Sequence, residues 1–336
     1  MELKTRKLAL RPLAAAASLG LASAAAIAPS PAAAVRPAPY EVVDLGFGGE
    51  ARAINSRGQV VGEGQLAGEA HFHPFLWTGG TITDLGVLER GEREYGRATD
   101  INDHAQVVGF SVVRQDPEQS GQHAFLWQNG VLTDLDRSAY DSMANAINNH
   151  GQVAGVRYIP GGRHAVSWQN GVMTDLGPGI ATGINDQGQI IGSATGTGAA
   201  LWVRGRAYDL GAPAGSDDWT PVAINDRGWI VGNAWAGTDL RAYLWRAGSF
   251  VDLGTLGGSG AEAIDIDNRG QILGLSQPAG ADAATHAFLW RDGTTIDLHR
   301  RGVPEYPTLD ALGDRGQLVG SVGDANDHAG LYRLRR

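Results

Sequence analysis

Three observations in the sequence predict an all-β chain, a seven-bladed β-propeller of four-stranded antiparallel blades closed by the N-terminal strand. First, one set of residues recurs seven times in one order, with corner positions at Asn55, Asn102, Asn148, Asn185, Asn225, Asp267 and Gly313, spaced by 37 to 47 residues. A fixed period in that range marks a propeller, a solenoid or an array. Second, two of the connections inside each unit are short and rich in Asn, Asp and Gly, as tight hairpins require. Third, the chain enters the repeat on the last strand of a unit and leaves it on the third. Residues 40–46 can therefore supply the strand that the last unit lacks, and this closure would hide the open edges of the sheets.

Each unit reads as four strands, here a to d. Strand a ends at the corner. Strand b is the run Gln59–Gly62 or Gln189–Gly192, and strand c the run His123-Ala124-Phe125-Leu126-Trp127. Strand d ends in an Asp-Leu pair, with its Asp at 44, 84, 134, 175, 209, 252 and 297. β-branched and aromatic residues dominate b and c. No segment after residue 40 carries a long 3.6-residue apolar period, so helix is expected to be nearly absent. Asn55-Ser56-Arg57-Gly58 and its equivalents turn a into b, and pairs such as Asn129-Gly130 turn c into d. Both tight turns then fall on one face, and the variable b–c and d–a loops on the other. A phasing with d innermost and a β-solenoid are the rival arrangements.

The recurrent segments resemble the HAF repeat family of extracellular bacterial repeat proteins. The resemblance rests on His123-Ala124-Phe125 and His286-Ala287-Phe288, beside segments of the Ile-Asn-Asp and Thr-Asp-Leu kind, and covers nearly everything from residue 40 onward. It implies a secreted β-repeat protein and brings no assigned activity. The triplet is loose elsewhere: His73-Pro74-Phe75 in the first copy, His164-Ala165-Val166 in the third, His328-Ala329-Gly330 in the last.

Residues 1–34 read as a secretory signal peptide: Lys4, Arg6, Lys7 and Arg11 precede an apolar stretch from Leu13 to Ile27, and Ala32–Ala34 offer small residues for cleavage. Residues 35–39 are a short lead-in and 40–336 the propeller. The apolar stretch is shorter than the roughly 20 residues that a spanning helix needs, so no membrane span is expected in the mature chain. That chain is expected to be secreted, extracellular or periplasmic, and monomeric. Cysteine is absent, so the core must hold without disulfides. Removing 1–34 takes four basic residues and Glu2 from 27 and 36, leaving 23 − 35 = −12. An acidic surface repels phosphate backbones, which argues against a nucleic-acid partner.

No motif for a catalytic Ser, a zinc protease, a Walker loop or a dinucleotide fold is present. No catalytic residue, metal or cofactor is expected. Asp265-Ile266-Asp267-Asn268-Arg269-Gly270 faintly resembles a calcium loop, but it lacks the full spacing and the closing Glu, and the other copies explain it as a turn corner. The repeated histidines 73, 123, 164, 286 and 328 share one position, taken by Ala199 and Arg241 in the other two copies, and read as structural. Departures from the repeat are the better functional clue. They are the charged loop Glu89–Glu94, the loop Arg114–Gln122, and Trp219, Trp229 and Trp235 of the fifth copy. Constant register sums, 225 + 229 and 219 + 235, place Trp219 opposite Trp235 if no bulge intervenes. The pair is expected either to clasp the hairpin or, with Asp217 and Asp218, to form a ligand platform. The function expected is a non-catalytic scaffold binding a glycan, a peptide or a cell-surface partner on the variable-loop face. The alternative is a hydrolase or lyase with a site over the central channel.

Overall fold

The structure is a computed structural model. It describes residues 40–334 apart from 67, 69–70, 92–93, 115–119, 139, 217, 281–283, 306 and 323–327. The predicted signal peptide and the lead-in 35–39 lie outside the described residues.

The chain is all-β, with one 3-10 turn at His299–Arg301. Its strands pair into antiparallel groups of four in the order a-b-c-d. The second group is Gly96–Ile101, Val107–Arg114, Ser120–Gln128 and Val131–Asp134; the fifth is Thr220–Ile224, Ile230–Ala236, Asp239–Arg246 and Ser249–Asp252; the sixth is Gly257–Ile266, Ile272–Pro278, His286–Arg291 and Thr294–Asp297. The third and fourth groups share one strand, Val172–Ile184, which pairs with Gly162–Gln169 through its first half and with Ile190–Ala194 through its second.

The first and last groups share a strand in the same way. The sequence suggests two separate strands between residues 40 and 54; the structure has one, Tyr40–Ile54. Its first half pairs with His328–Leu334, Val42 facing Tyr332, and its second half with Val60–Gln65. Gly46 and Gly49, with φ of 87° and 151°, let the chain change partners without a loop.

The turns follow from their residues. In Asn55-Ser56-Arg57-Gly58 the Gly58 N–H bonds the Asn55 carbonyl, Gly58 takes a φ of 79°, and the Asn55 N–H reaches the Gln59 carbonyl. This is the predicted hairpin with a bulge at Gly. The c–d turn puts two residues at positive φ, Asn129 at 52° and Gly130 at 82°, as a type I′ turn demands. Val60 faces Trp77 in the b–c ladder, so both tight turns lie at one end of the group and the variable loops at the other.

Strand a carries one unforeseen feature. In every copy its ladder to b slips by one residue, at Arg52, Thr99, Asn145, Thr182, Val222, Ile264 and Asp310. The bulge presses a carbonyl onto strand b. A Cβ at Gly109 would lie 1.9 Å from the Arg97 oxygen, and one at Gly320 1.9 Å from that of Thr308. This close approach explains the Gly that ends each b motif.

The core consists of seven apolar clusters among the described residues, each drawn from two successive copies. One joins Val319, Ala329 and Leu331 of the last copy to Val60, Phe75 and Trp77 of the first. The repeated aromatic is part of these layers: Trp168, Trp202 and Tyr332 are almost wholly buried. Strand d is the outer edge, exposed along Thr81–Asp84 and Arg206–Asp209. The ends of all seven a strands line one cavity, so a is innermost.

Candidate functional site

The corner end is a hydrogen-bonded relay. Each corner Asn turns its Oδ1 back to two backbone N–H groups of its own turn, as Asn148 does to His150 and Gln152. Its Nδ2 donates forward to the next copy's corner carbonyl. Asn55, Asn102, Asn148, Asn185 and Asn225 all make this bond at 3.0 Å, and the last reaches Asp267. A second girdle runs one residue on. The backbone N–H groups of Ser56, Asp103, Asn149, Asp186, Asp226 and Asn268 each donate to the side chain of the following copy. An open cavity of about 180 Å³ is lined by Ile54, Ile101 and their equivalents and by this Asp/Asn girdle. Burial raises the carboxyl pKa values of Asp226 and Asp267, and Asp314 adds to both.

Two further carboxyls stand on strand a. Asp100 accepts the Ile101 and Ile147 N–H groups, and Asp265 those of Ile266 and Leu312. Burial pushes each to about 7. In both, the two oxygens each hold a backbone N–H, one of them from the next copy. They tie neighbouring strands together, and the charge of Asp100 adds to the rise at Asp265.

The loop end carries a side-chain clasp in each copy. The strand-d Asp accepts the N–H two residues on, then pairs with the residue at the repeated His position. His73–Asp84, His123–Asp134, His164–Asp175, His286–Asp297 and His328–Asp44 all close through Nδ1 at 2.8–3.2 Å. Arg241 replaces His toward Asp252, also at 2.8 Å. The His328 hydrogen bond holds Asp44 below the usual carboxylate range. The Asp134 hydrogen bond raises His123, against its burial. At His286 the d–a loop adds a second ring, His299, stacked at 4.5 Å, with Glu305 beside it. Each offers one ligand atom, all within 4.8 Å of one another, though His286 Nδ1 already pairs with Asp297 and His299 Nδ1 lies 3.3 Å from the Val303 carbonyl oxygen.

The fourth copy breaks the clasp. The sequence suggests Ala199 at the His position, but the register corrects this to Gly198: Ala200 faces Asp209 as Phe125 faces Asp134. With no side chain there, Asp209 bonds only the Gly211 N–H among the described residues. The missing ring leaves a cleft of about 510 Å³ between the fourth and fifth copies, lined in part by Thr197, Ala199, Asp209, Asp218, Trp219 and Pro221.

The predicted Trp pair is corrected here. The bulge at Val222 shifts the register, so Pro221 faces Gly232 and Thr220 faces Asn233. One residue of slip sends side chains to opposite faces. Trp219 is 4% exposed and packs edge-on against Phe250 at 5.0 Å, whereas Trp235 is 54% exposed and faces Leu240. They neither clasp each other nor form one platform. Trp219 and the exposed Asp218 line the cleft; Asp217 lies outside the described residues. The Trp219 indole N–H is buried without a partner. Trp229 lies at the corner end, between Arg227 and Arg246. Asp209 was missed as a site residue, although the absence of His from the fourth copy was its visible signal.

No family model matches the sequence, nor does any curated protein. Solved structures do match in fold. The chain is similar to puromycin hydrolase, with a TM-score of 0.55 at 11% identity over 85% of this chain and 51% of that one. It is similar to YCF48 from Cyanidioschyzon merolae, with a TM-score of 0.54 at 13% identity over 88% and 99%. It is also similar to YCF48 bound to D1 peptide, with a TM-score of 0.51 at 12% identity over 90% and 97%. The chain spans about half the length of the puromycin hydrolase. At such identities the likeness shows the fold alone, that of a β-propeller.

Proposed function

We propose that the mature chain is a secreted or periplasmic, non-catalytic seven-bladed propeller of the HAF repeat kind, and that it binds a partner on its variable-loop face. The ring reading is supported by the apolar cluster between last and first copies, by the Asp44–His328 clasp and by the Arg52–Asp310 pair at 2.9 Å. Among the described residues no helix is long and apolar enough to cross a membrane. The ligand seat is the cleft between the fourth and fifth copies.

The observation that carries this reading is the unpaired Asp209. Six strand-d carboxylates hold a cationic or imidazole partner from their own sheet; the seventh faces a cleft instead. The ligand then brings the missing cation, an ammonium or guanidinium group, to Asp209. Its apolar part lies over Pro221 and Trp219. A peptide carrying Lys or Arg meets these needs, and a peptide is what YCF48 is bound to in its structure. A neutral glycan lacks the charge.

An array of basic, acidic and neutral peptides and of glycans, probed with the mature chain, tests the class. The best binder is then titrated against Asp209→Asn and Asp209→Ala, which remove the carboxylate with and without keeping its shape. We expect each to weaken binding at least about tenfold, the loss of a charge-assisted hydrogen bond. Binding that survives both changes would remove this seat.

A further inference from the structure

The corner relay has one defect, in the sector from the sixth to the first copy. Asp267 replaces Asn, and Gly313 replaces the next one. Asp267 keeps the relay pose: its Oδ1 takes the Arg269 and Gln271 N–H groups at 3.0 and 2.7 Å, as each corner Asn does at its own turn. Its Oδ2 therefore stands where five copies have a donor nitrogen 3.0 Å from the next corner carbonyl. Here that carbonyl belongs to Gly313. An oxygen faces an oxygen, and neither can donate unless the carboxyl is protonated.

Nothing in the fold relieves this. Asp267 is 3% exposed, and its Oδ2 has no hydrogen-bond partner. Gly313 supplies no side chain, so Gln317 loses the partner its equivalents have. The Oε1 atoms of Gln59, Gln106 and Gln189 accept from their corner Asn at 2.8, 2.6 and 2.7 Å, whereas that of Gln317 is buried and unpartnered. A Cβ at Gly313 would lie only 3.0 Å from that oxygen and 3.3 Å from Ile54 Cγ2, a tight fit that the glycine avoids. Asp314 on the rim adds negative charge, and Arg269 of the same turn is the opposing cation.

We propose that a hard cation of the calcium class binds between Asp267 Oδ2 and the Gly313 carbonyl and completes the relay where the amide is missing. Two oxygens about 3 Å apart can both lie 2.3–2.6 Å from one calcium ion. Water from the cavity that Asp267 lines provides the remaining oxygen ligands. The ligand set is all oxygen, which disfavours zinc and copper. This is not the helix-loop calcium site that the Asp265–Gly270 stretch faintly suggests. Asp265 spends both oxygens on backbone N–H groups, and the partner of Asp267 comes from the neighbouring copy.

The test uses the mature chain and calcium chloride alone. Thermal unfolding is followed in chelator and in millimolar calcium, with stoichiometry from isothermal titration. We expect one calcium per chain and a Tm rise of about 3 °C or more. Asp267→Asn restores the amide donor of the other corners. It should fold, melt in chelator no lower than the parent, and bind no calcium. A parent with no calcium response overturns the proposal, as does an Asp267→Asn chain that keeps it. So does a parent stabilised by acid alone, since a proton then fills the gap.

Discussion

The two ends of the blades obey different rules. At the corner end five copies are nearly superposable, and the amide bonds between them are all 3.0 Å. At the loop end the same seven copies use His five times, Arg once and Gly once. The difference lies in what each side chain must satisfy. A corner Asn answers to two copies at once, its own turn through Oδ1 and the next through Nδ2, in a buried place where an unmade hydrogen bond is costly. A clasp His answers mainly to one Asp, at a partly exposed edge, so replacing it disturbs no second copy. A copy can therefore change at the loop end without disturbing its neighbour, and a cleft opens where one side chain is missing.

The comparison breaks most sharply at the strand shared by first and last copies. Removing residues 40–46 takes the clasp partner of His328, the buried Tyr40 with its bond to the Gly316 carbonyl, and a strand ladder. We expect a loss of more than about 4 kcal/mol in urea unfolding. A truncated chain that unfolds like the parent would mean that the ring does not depend on this strand.

The corner rule is tested by Asn148→Ala. The change strands the His150 and Gln152 N–H groups and cuts the link to the Asn185 carbonyl. The expected cost is about 3 kcal/mol. A cost under about 1 kcal/mol would show that the relay is geometry without energy.

His123→Ala samples the clasp end, with an expected cost of about 1.5 kcal/mol in acid. The Asp134 hydrogen bond raises the His123 pKa above its unfolded value. Stability from such a group is whole below the unfolded pKa, about 6.5, and is lost as pH rises through the folded value. The cost of the substitution should therefore shrink between about pH 5 and pH 9. A cost that grows with pH would reverse the sign of the clasp.

Much of the fold is legible before any coordinates. The Asn-x-x-Gly corners name their turns because only certain residues tolerate the backbone they impose. The start on strand d and the stop on strand c name the shared first strand. The Trp219–Trp235 pairing went astray for a physical reason. The bulge at Val222 has no residue signature, since Arg, Thr, Asn, Val, Ile and Asp all occupy that position across the copies. Its cause is three-dimensional: an inner strand crowded against its neighbours must bend, and only the Gly opposite records it.

By itself the sequence determined the period, the strand order, the face that holds the tight turns and the absence of a His from the fourth copy, because each depends on local backbone preference or on repetition along the chain. The tertiary structure alone decided that the empty His position opens onto Trp219, that Asp267 looks at a carbonyl of the next copy, and that Asp100 and Asp265 are spent on backbone amides. Those facts turn on which atoms of different copies meet, and a hydrogen bond between residues some 40 positions apart leaves no mark at either position alone.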